Sequence, residues 1–250
     1  MSSKIVKLPL SADPCIDRVL DEFLKEQRGR LAPATFGKYQ NVVELLRGCL
    51  NGYGHQNLSR EEAALFDRHY NAEGNEHREF CQLFGPEKIL DELRGFLGYF
   101  MIRKVIAGED LMRAAGTVTK KLSKWLAANG YVSEDAGREA AESAATAARE
   151  LPRAARAVQM PGDAADRLDI DPTSLADEDY LEFDHYTIAG IEPGRLWLEV
   201  WEGAKSRSLG PIPSPKPATD LLQVGWEVSC ALARVRGTWR MVEVANVYPG

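Results

Sequence analysis

The stretch EDLMRAAGTVTKKLSKWLAANGY, residues 109–131, sets the reading of the first half of the chain. Its apolar residues Leu111, Ala115, Val118, Leu122, Trp125 and Leu126 recur every three or four positions. That spacing predicts a helix with one face turned to a core. Two acids open it, where the helix dipole favours negative charge, and Asn129-Gly130 closes it. The opposite side carries Arg113, Thr117, Lys120 and Lys124 in one stripe, with Lys121 beside it and no acid between them. Such a stripe either solvates an outer face or meets something negatively charged.

Working back toward the N-terminus, three more segments carry the same period. DPCIDRVLDEFLKEQ places Ile16, Val19, Leu20, Phe23 and Leu24 on one face. APATFGKYQNVVELLRGCLNGYG follows with Phe36, Tyr39, Val42, Val43, Leu46 and Leu50. Thr35 and Lys38 fall on its outer side. GPEKILDELRGFLGYFMIRKVIAGED has Pro86 near its first turn, and its centre is apolar nearly all round, as expected of a buried middle helix. Residues 55–85, polar and holding three of the four histidines, read as an insertion between the second and third helices.

Toward the C-terminus the pattern changes twice. Residues 136–179 are first Ala-rich, a strong helix former with little to bury, and then acidic and proline-containing, so they read as a linker. From Tyr180 onward the period is that of strands: YLEFDHYTIAGI, RLWLEVWE, SLGPIPSP, WEVSCALARV and WRMVEVANVYP. Five strands with a short helix, PKPATDLL, between the third and fourth is the order of an OB-type barrel, with an SH3-like barrel as the other candidate. The expected fold class is therefore α+β. A four-helix bundle with an insertion (1–135) is followed by a helical then acidic linker (136–179) and a five-stranded barrel (180–250).

The formal net charge of −6 and pI near 5.4 give no global attraction to phosphate. The acidity is local, however. Residues 1–135 carry 19 basic and 19 acidic side chains, and residues 136–179 carry 5 and 10. An anion-binding face elsewhere therefore stays open. Cys15, Cys49, Cys81 and Cys230 have no paired spacing, which fits reduced thiols and a cytoplasmic protein. No apolar run reaches the roughly 18 residues of a membrane span, and MSSKIVKLPLSADP lacks a signal-peptide core. No membrane partner is expected.

Catalytic constellations are missing. His69, His77 and Cys81 match no common zinc spacing, although His77 and Cys81 would share a helix face. Asp184 and His185 point to opposite sides of a strand, and neither Ser206 nor Ser208 sits in a nucleophile elbow. Neither of the common phosphate-binding glycine loops occurs. The chain reads as a non-enzyme with no cofactor, no metal and no small-molecule substrate. Trp197, Trp201, Trp226, Trp239 and Tyr186 crowd the strands. They either fill the barrel and its contacts or leave an aromatic surface for a ligand.

Two stretches, FLKEQRGRLAPATFGKYQNVVELLRGCL and TVTKKLSKWLAANGYVSED, make residues 14–135 resemble the N-terminal core-binding (SAM-like) domain of tyrosine recombinases and phage integrases. The resemblance implies a domain that clamps duplex DNA with its second and fourth helices. Here that would engage Thr35 and Lys38 on one and Arg113, Thr117, Lys120, Lys121 and Lys124 on the other. The catalytic domain of that family has no counterpart: the last 71 residues are too short, and His185 is followed by YTIAG rather than by an arginine three positions on. The expectation is a DNA-binding protein without strand-transfer activity. The alternative is a protein-interaction module that uses the aromatic barrel surface.

Overall fold

Apolar spacing and end signals place the first two helices, α1 (Ile16–Arg28) and α2 (Pro33–Tyr53), where the sequence predicts them. The computed structural model describes residues 12–168, 170 and 175–250. The chain is α+β, with a helical N-terminal part and a C-terminal five-stranded antiparallel sheet. Its contacts fall into two compact units, Met1–Phe96 with Ala114–Ala145, and Leu97–Arg113 with Thr146–Gly250. These ranges cross the boundaries expected at 135 and 179. No helix among the described residues is long and apolar enough to cross a membrane.

In the first unit, Ile16, Val19, Leu20 and Phe23 of α1 and Val42, Val43, Leu46 and Leu50 of α2 are buried. The segment read as an insertion belongs to this core. It forms α3 (Arg60–Tyr70) and α4 (Phe80–Leu83), and it buries Phe66, Phe80, Cys81, Leu83 and Phe84. Phe80 and Phe84 pack with ring centroids 4.6 Å apart, and Gly54 lies close under the Phe80 ring. A few aromatic rings supply bulk that the polar residues around them hide from a periodicity count. Ser59 starts α3 with a capping box: its hydroxyl accepts from the Glu62 N–H, and the Glu62 carboxylate accepts from the Ser59 N–H.

The third predicted helix is broken. It runs as α5 (Glu87–Gly95), a π-helical turn over Phe96–Phe100, and α6 (Met101–Arg103). Phe96, Leu97 and Met101 are buried, but Gly98 and Tyr99 face solvent. The expected all-round burial fails because the π turn resets the helical phase partway along FLGYFMI.

Two long helices follow, α7 (Glu109–Ala128) and α8 (Glu134–Asp166). In α7 the predicted face packs as expected, with Ala115, Val118, Leu122, Trp125 and Leu126 buried. Trp125 packs edge-on to Phe23 at 5.5 Å and donates its indole N–H to Glu26 at 2.6 Å. A second face of α7 is buried too. Thr119 and Ser123 are fully covered, and their hydroxyls donate back to the carbonyls of Ala115 and Thr119. What crosses there is the first part of α8. A Cβ on Gly137 would stand 2.6 Å from Ala127 Cβ and 3.0 Å from the Ser123 carbonyl. The Ala-rich segment is therefore not an idle spacer: Ala141 and Ala144 are buried, and small side chains let the two backbones approach. The acidic joint expected after it falls partly on residues 169 and 171–174, outside the described residues.

In the second unit the later part of α8 lies on the sheet. Ala154 and Ala157 join a core of Tyr186, Ile188, Leu196, Leu198, Val200, Leu209, Ile212, Trp226, Val228 and Leu232. Arg153 donates to the Leu221 carbonyl at 2.9 Å and lies over the Trp226 ring. Arg156 pairs with Glu109 at 2.5 Å. The strands are β1 (Tyr180–Glu192), β2 (Arg195–Glu202), β3 (Lys205–Pro213), β4 (Glu227–Val235) and β5 (Thr238–Tyr248), in the order β3-β2-β1-β4-β5. The short helix α9 (Lys216–Thr219) falls between β3 and β4, as predicted. Arg236 and Gly237, with φ of 50° and 79°, turn the β4–β5 hairpin. A two-residue loop with both residues left-handed matches the twist of the flanking strands.

The α7–α8 seam is directly testable. Gly137→Ala is expected to cost roughly 1–3 kcal/mol by overpacking. Gly48→Ala, on an exposed helical position with nothing within 4 Å of the new methyl, is expected to gain about 0.5–1 kcal/mol. Urea titration of both variants checks the pair.

Candidate functional site

Because α7 is covered on two sides, its remaining outward arc is narrow. Thr117, Lys120, Lys121 and Lys124 occupy it, all exposed. Lys120 and Lys124 stand on the rim of a cleft of about 400 Å³ between α7 and the start of α8. Its floor is apolar and small, from Ala127, Ala128, Gly137, Ala141 and Ala145. Glu134, Arg138 and Glu142 complete the rim, and Arg138 is already paired with Asp135 at 2.5 Å.

What distinguishes the three lysines is that they cluster, exposed, on one arc of a single helix. Some cations of this unit are met by carboxylates, Arg18 by Asp13, Arg30 by Glu26 and Lys88 by Glu62, whereas others, Lys25 and Lys38 among them, form no ion pair with a described residue. Arg47 draws Asp17, Asp21 and Glu44 at once. None of Lys120, Lys121 and Lys124 forms an ion pair with a described residue. Glu134 and Glu142 share the cleft without pairing to them, so they dilute the positive potential there rather than neutralise a particular lysine.

The other predicted positions behave differently. Arg113 is exposed but pairs with Asp110 at 3.4 Å, and it falls in the other contact unit. Thr35 and Lys38 are exposed on the first turns of α2, away from the lining of the cleft. The structure thus brings Lys120 and Lys124 to one cleft and leaves Thr35, Lys38 and Arg113 outside it. Arg138, Glu134 and Glu142 escape the sequence reading, because an Ala-rich segment reads as a spacer. The signal was present in the Gly and Ala residues at helical spacing, which suit close helix contact.

The remaining candidates resolve individually. His77 precedes α4 rather than sharing a helix with Cys81, and its Nδ1 lies 2.8 Å from the Tyr70 carbonyl oxygen. Among the described residues no group of three or more His, Cys, Asp and Glu is placed to hold a metal. Asp184 accepts the backbone N–H of His185 at 2.7 Å. Trp226 is buried, whereas Trp201 on β2 is 66% exposed. Leu196, Leu198 and Val200 form the inner face of that strand.

Burial pushes the Cys49 thiol up to about 12, with Glu92 adding to the effect. It pushes Cys81 and Cys230 up as well. Cys15, half-buried at the start of α1, is the accessible one. A thiol reagent at mildly alkaline pH is therefore expected to label one cysteine in the folded protein and four after unfolding. Peptide mapping that finds Cys49 labelled in the native state would contradict this packing.

Comparison with protein families, curated proteins and solved structures finds no match to the chain.

Proposed function

We propose that the chain is a non-catalytic nucleic-acid-binding protein that holds duplex DNA through its phosphates. The observation that carries this reading is the row of three exposed lysines on one narrow arc of α7, none of them ion-paired to a described residue. An ammonium without an internal partner loses no salt bridge when a phosphate takes it. Thr117 extends the same arc, and Thr35 and Lys38 on α2 are further exposed candidates. The resemblance of residues 14–135 to recombinase core-binding domains supports the choice of duplex DNA, with α2 and α7 as the contacting helices. The order of the five strands around α9 supports an OB-type barrel for the second unit.

A second reading rests on Trp201. A tryptophan 66% exposed on a strand whose other face is core is a suitable anchor for a protein partner. It predicts capture that survives high salt and nuclease and is lost in Trp201→Ala.

The DNA reading is checked by salt titration on a short duplex. Each phosphate contact contributes about 0.9 to the slope of log K against log salt. Lys120→Glu with Lys124→Glu is therefore expected to flatten that slope by about 2 and to weaken low-salt binding at least tenfold. No duplex binding at low salt, or binding unmoved by the double variant, defeats the proposal.

A further inference from the structure

A second cationic surface lies in the other contact unit and owes nothing to α7 beyond its first turn. The π turn leaves the Tyr99 ring 42% exposed. Two cations rest against it: the Arg103 guanidinium carbon lies 5.9 Å from the ring centroid, and the Lys104 ammonium is also at 5.9 Å. Both are exposed, and neither has an ion pair with a described residue. Arg103 also reaches His185 on β1, with Nη1 3.5 Å from Nε2. His185 is held from behind by the Tyr248 ring, centroids 4.9 Å apart, and by Glu227, 3.8 Å from Nδ1. Glu227 is the carboxylate paired with this group, and Asp184 turns to the backbone N–H of His185. The Tyr248 hydroxyl is buried with no partner.

We infer that Tyr99, Arg103, Lys104 and His185 form a binding surface for an unpaired strand of nucleic acid. A cation over an exposed aromatic ring is weakly held, whereas a phosphate offers it a charge-assisted hydrogen bond. Arg103 and Lys104 can pass from ring to phosphate without breaking a salt bridge. The ring they leave is an open π-face beside that phosphate, which is what a base stacks on. A duplex buries its base faces in its own stack, so this combination favours a single strand. His185 adds a further ring beside Arg103, and the charge it faces is one carboxylate against two cations.

The inference is independent of the α7 lysines, and the test keeps the two apart. Fluorescence anisotropy is measured at low salt on a labelled oligothymidylate strand and, separately, on a short duplex. Tyr99→Ala and the Arg103→Gln, Lys104→Gln pair are each expected to weaken strand binding about tenfold. Tyr99→Trp is expected to retain it, and Lys120→Glu with Lys124→Glu is expected to leave it unchanged. Lys104→Gln alone, at an exposed side chain that supports no other contact, gives a reading free of folding effects. Absence of strand binding overturns the inference, as does strand binding indifferent to Tyr99 and Lys104. Loss of strand binding in the α7 variant would transfer the site to those lysines. Binding of anionic lipid vesicles in place of the strand, lost in the same Tyr99 and Lys104 variants, would overturn it in favour of a membrane surface. Duplex binding lost in the α7 variant while strand binding persists upholds both readings, and duplex binding unmoved by that variant while strand binding still depends on Tyr99 and Lys104 removes only the first.

Discussion

The close approach of α7 to α8 at Gly137 is the constraint on which the first unit depends. With 2.6 Å between a hypothetical Cβ there and Ala127 Cβ, no larger residue fits without moving a helix. Ser123 and Thr119 can be buried on that side because their hydroxyls are satisfied within their own helix. The result is a helix covered on two sides by different means. Trp125 meets Phe23 and Glu26 of α1 on one side, and small residues meet α8 on the other. What is left to solvent is an arc barely wide enough for a row of lysines. Their outward position is a consequence of packing and of the cost of burying an ammonium.

The same helix, α8, uses alanine differently further along. Ala154 and Ala157 sit on the apolar side of the sheet, while Arg153 and Arg156 fix the helix through a carbonyl, an indole ring and Glu109. Alternation in β2 turns Leu196, Leu198 and Val200 inward and leaves Trp201 outside. A half-buried sheet requires that alternation, but it does not require the outer residue to be tryptophan. Trp201 is thus the aromatic of this sheet least explained by the fold.

How much of this the residues announce varies with the kind of signal. Helical and strand periods place α1, α2, α7 and all five strands, and they identify the buried face of α7. Three things escape a period. In the 55–85 segment, burial rests on isolated aromatics, Phe66, Phe80 and Phe84, which no regular spacing links. In FLGYFMI a π turn shifts the phase, so Tyr99 emerges where an ideal helix would bury it. In α8 the packing residues are mostly alanines, whose small area makes them look dispensable, although their lack of bulk is what permits contact. The lysines were legible as an exposed stripe. Their cleft was not, since its other wall was read as a linker.

A chain of net charge −6 can still present a positive face, because screening makes charge a local matter. At physiological ionic strength an exposed charge is felt over about 8 Å, so remote carboxylates count for little against adjacent ones. Near the core of the first unit the adjacent ones prevail: Arg47 faces three acids, and burial raises the pKa of Asp17 against the lowering influence of that arginine. On the outer arc of α7 no carboxylate is close enough to pair, but Glu134 and Glu142 stand across the cleft. A polyanion drawn to the three lysines would therefore be attracted along the ridge and opposed at the α8 rim. That geometry favours approach from the Lys121 side, outside the cleft, over entry into it. It also makes the attraction shallow, which suits reversible contact with a phosphate backbone better than tight capture of a single anion.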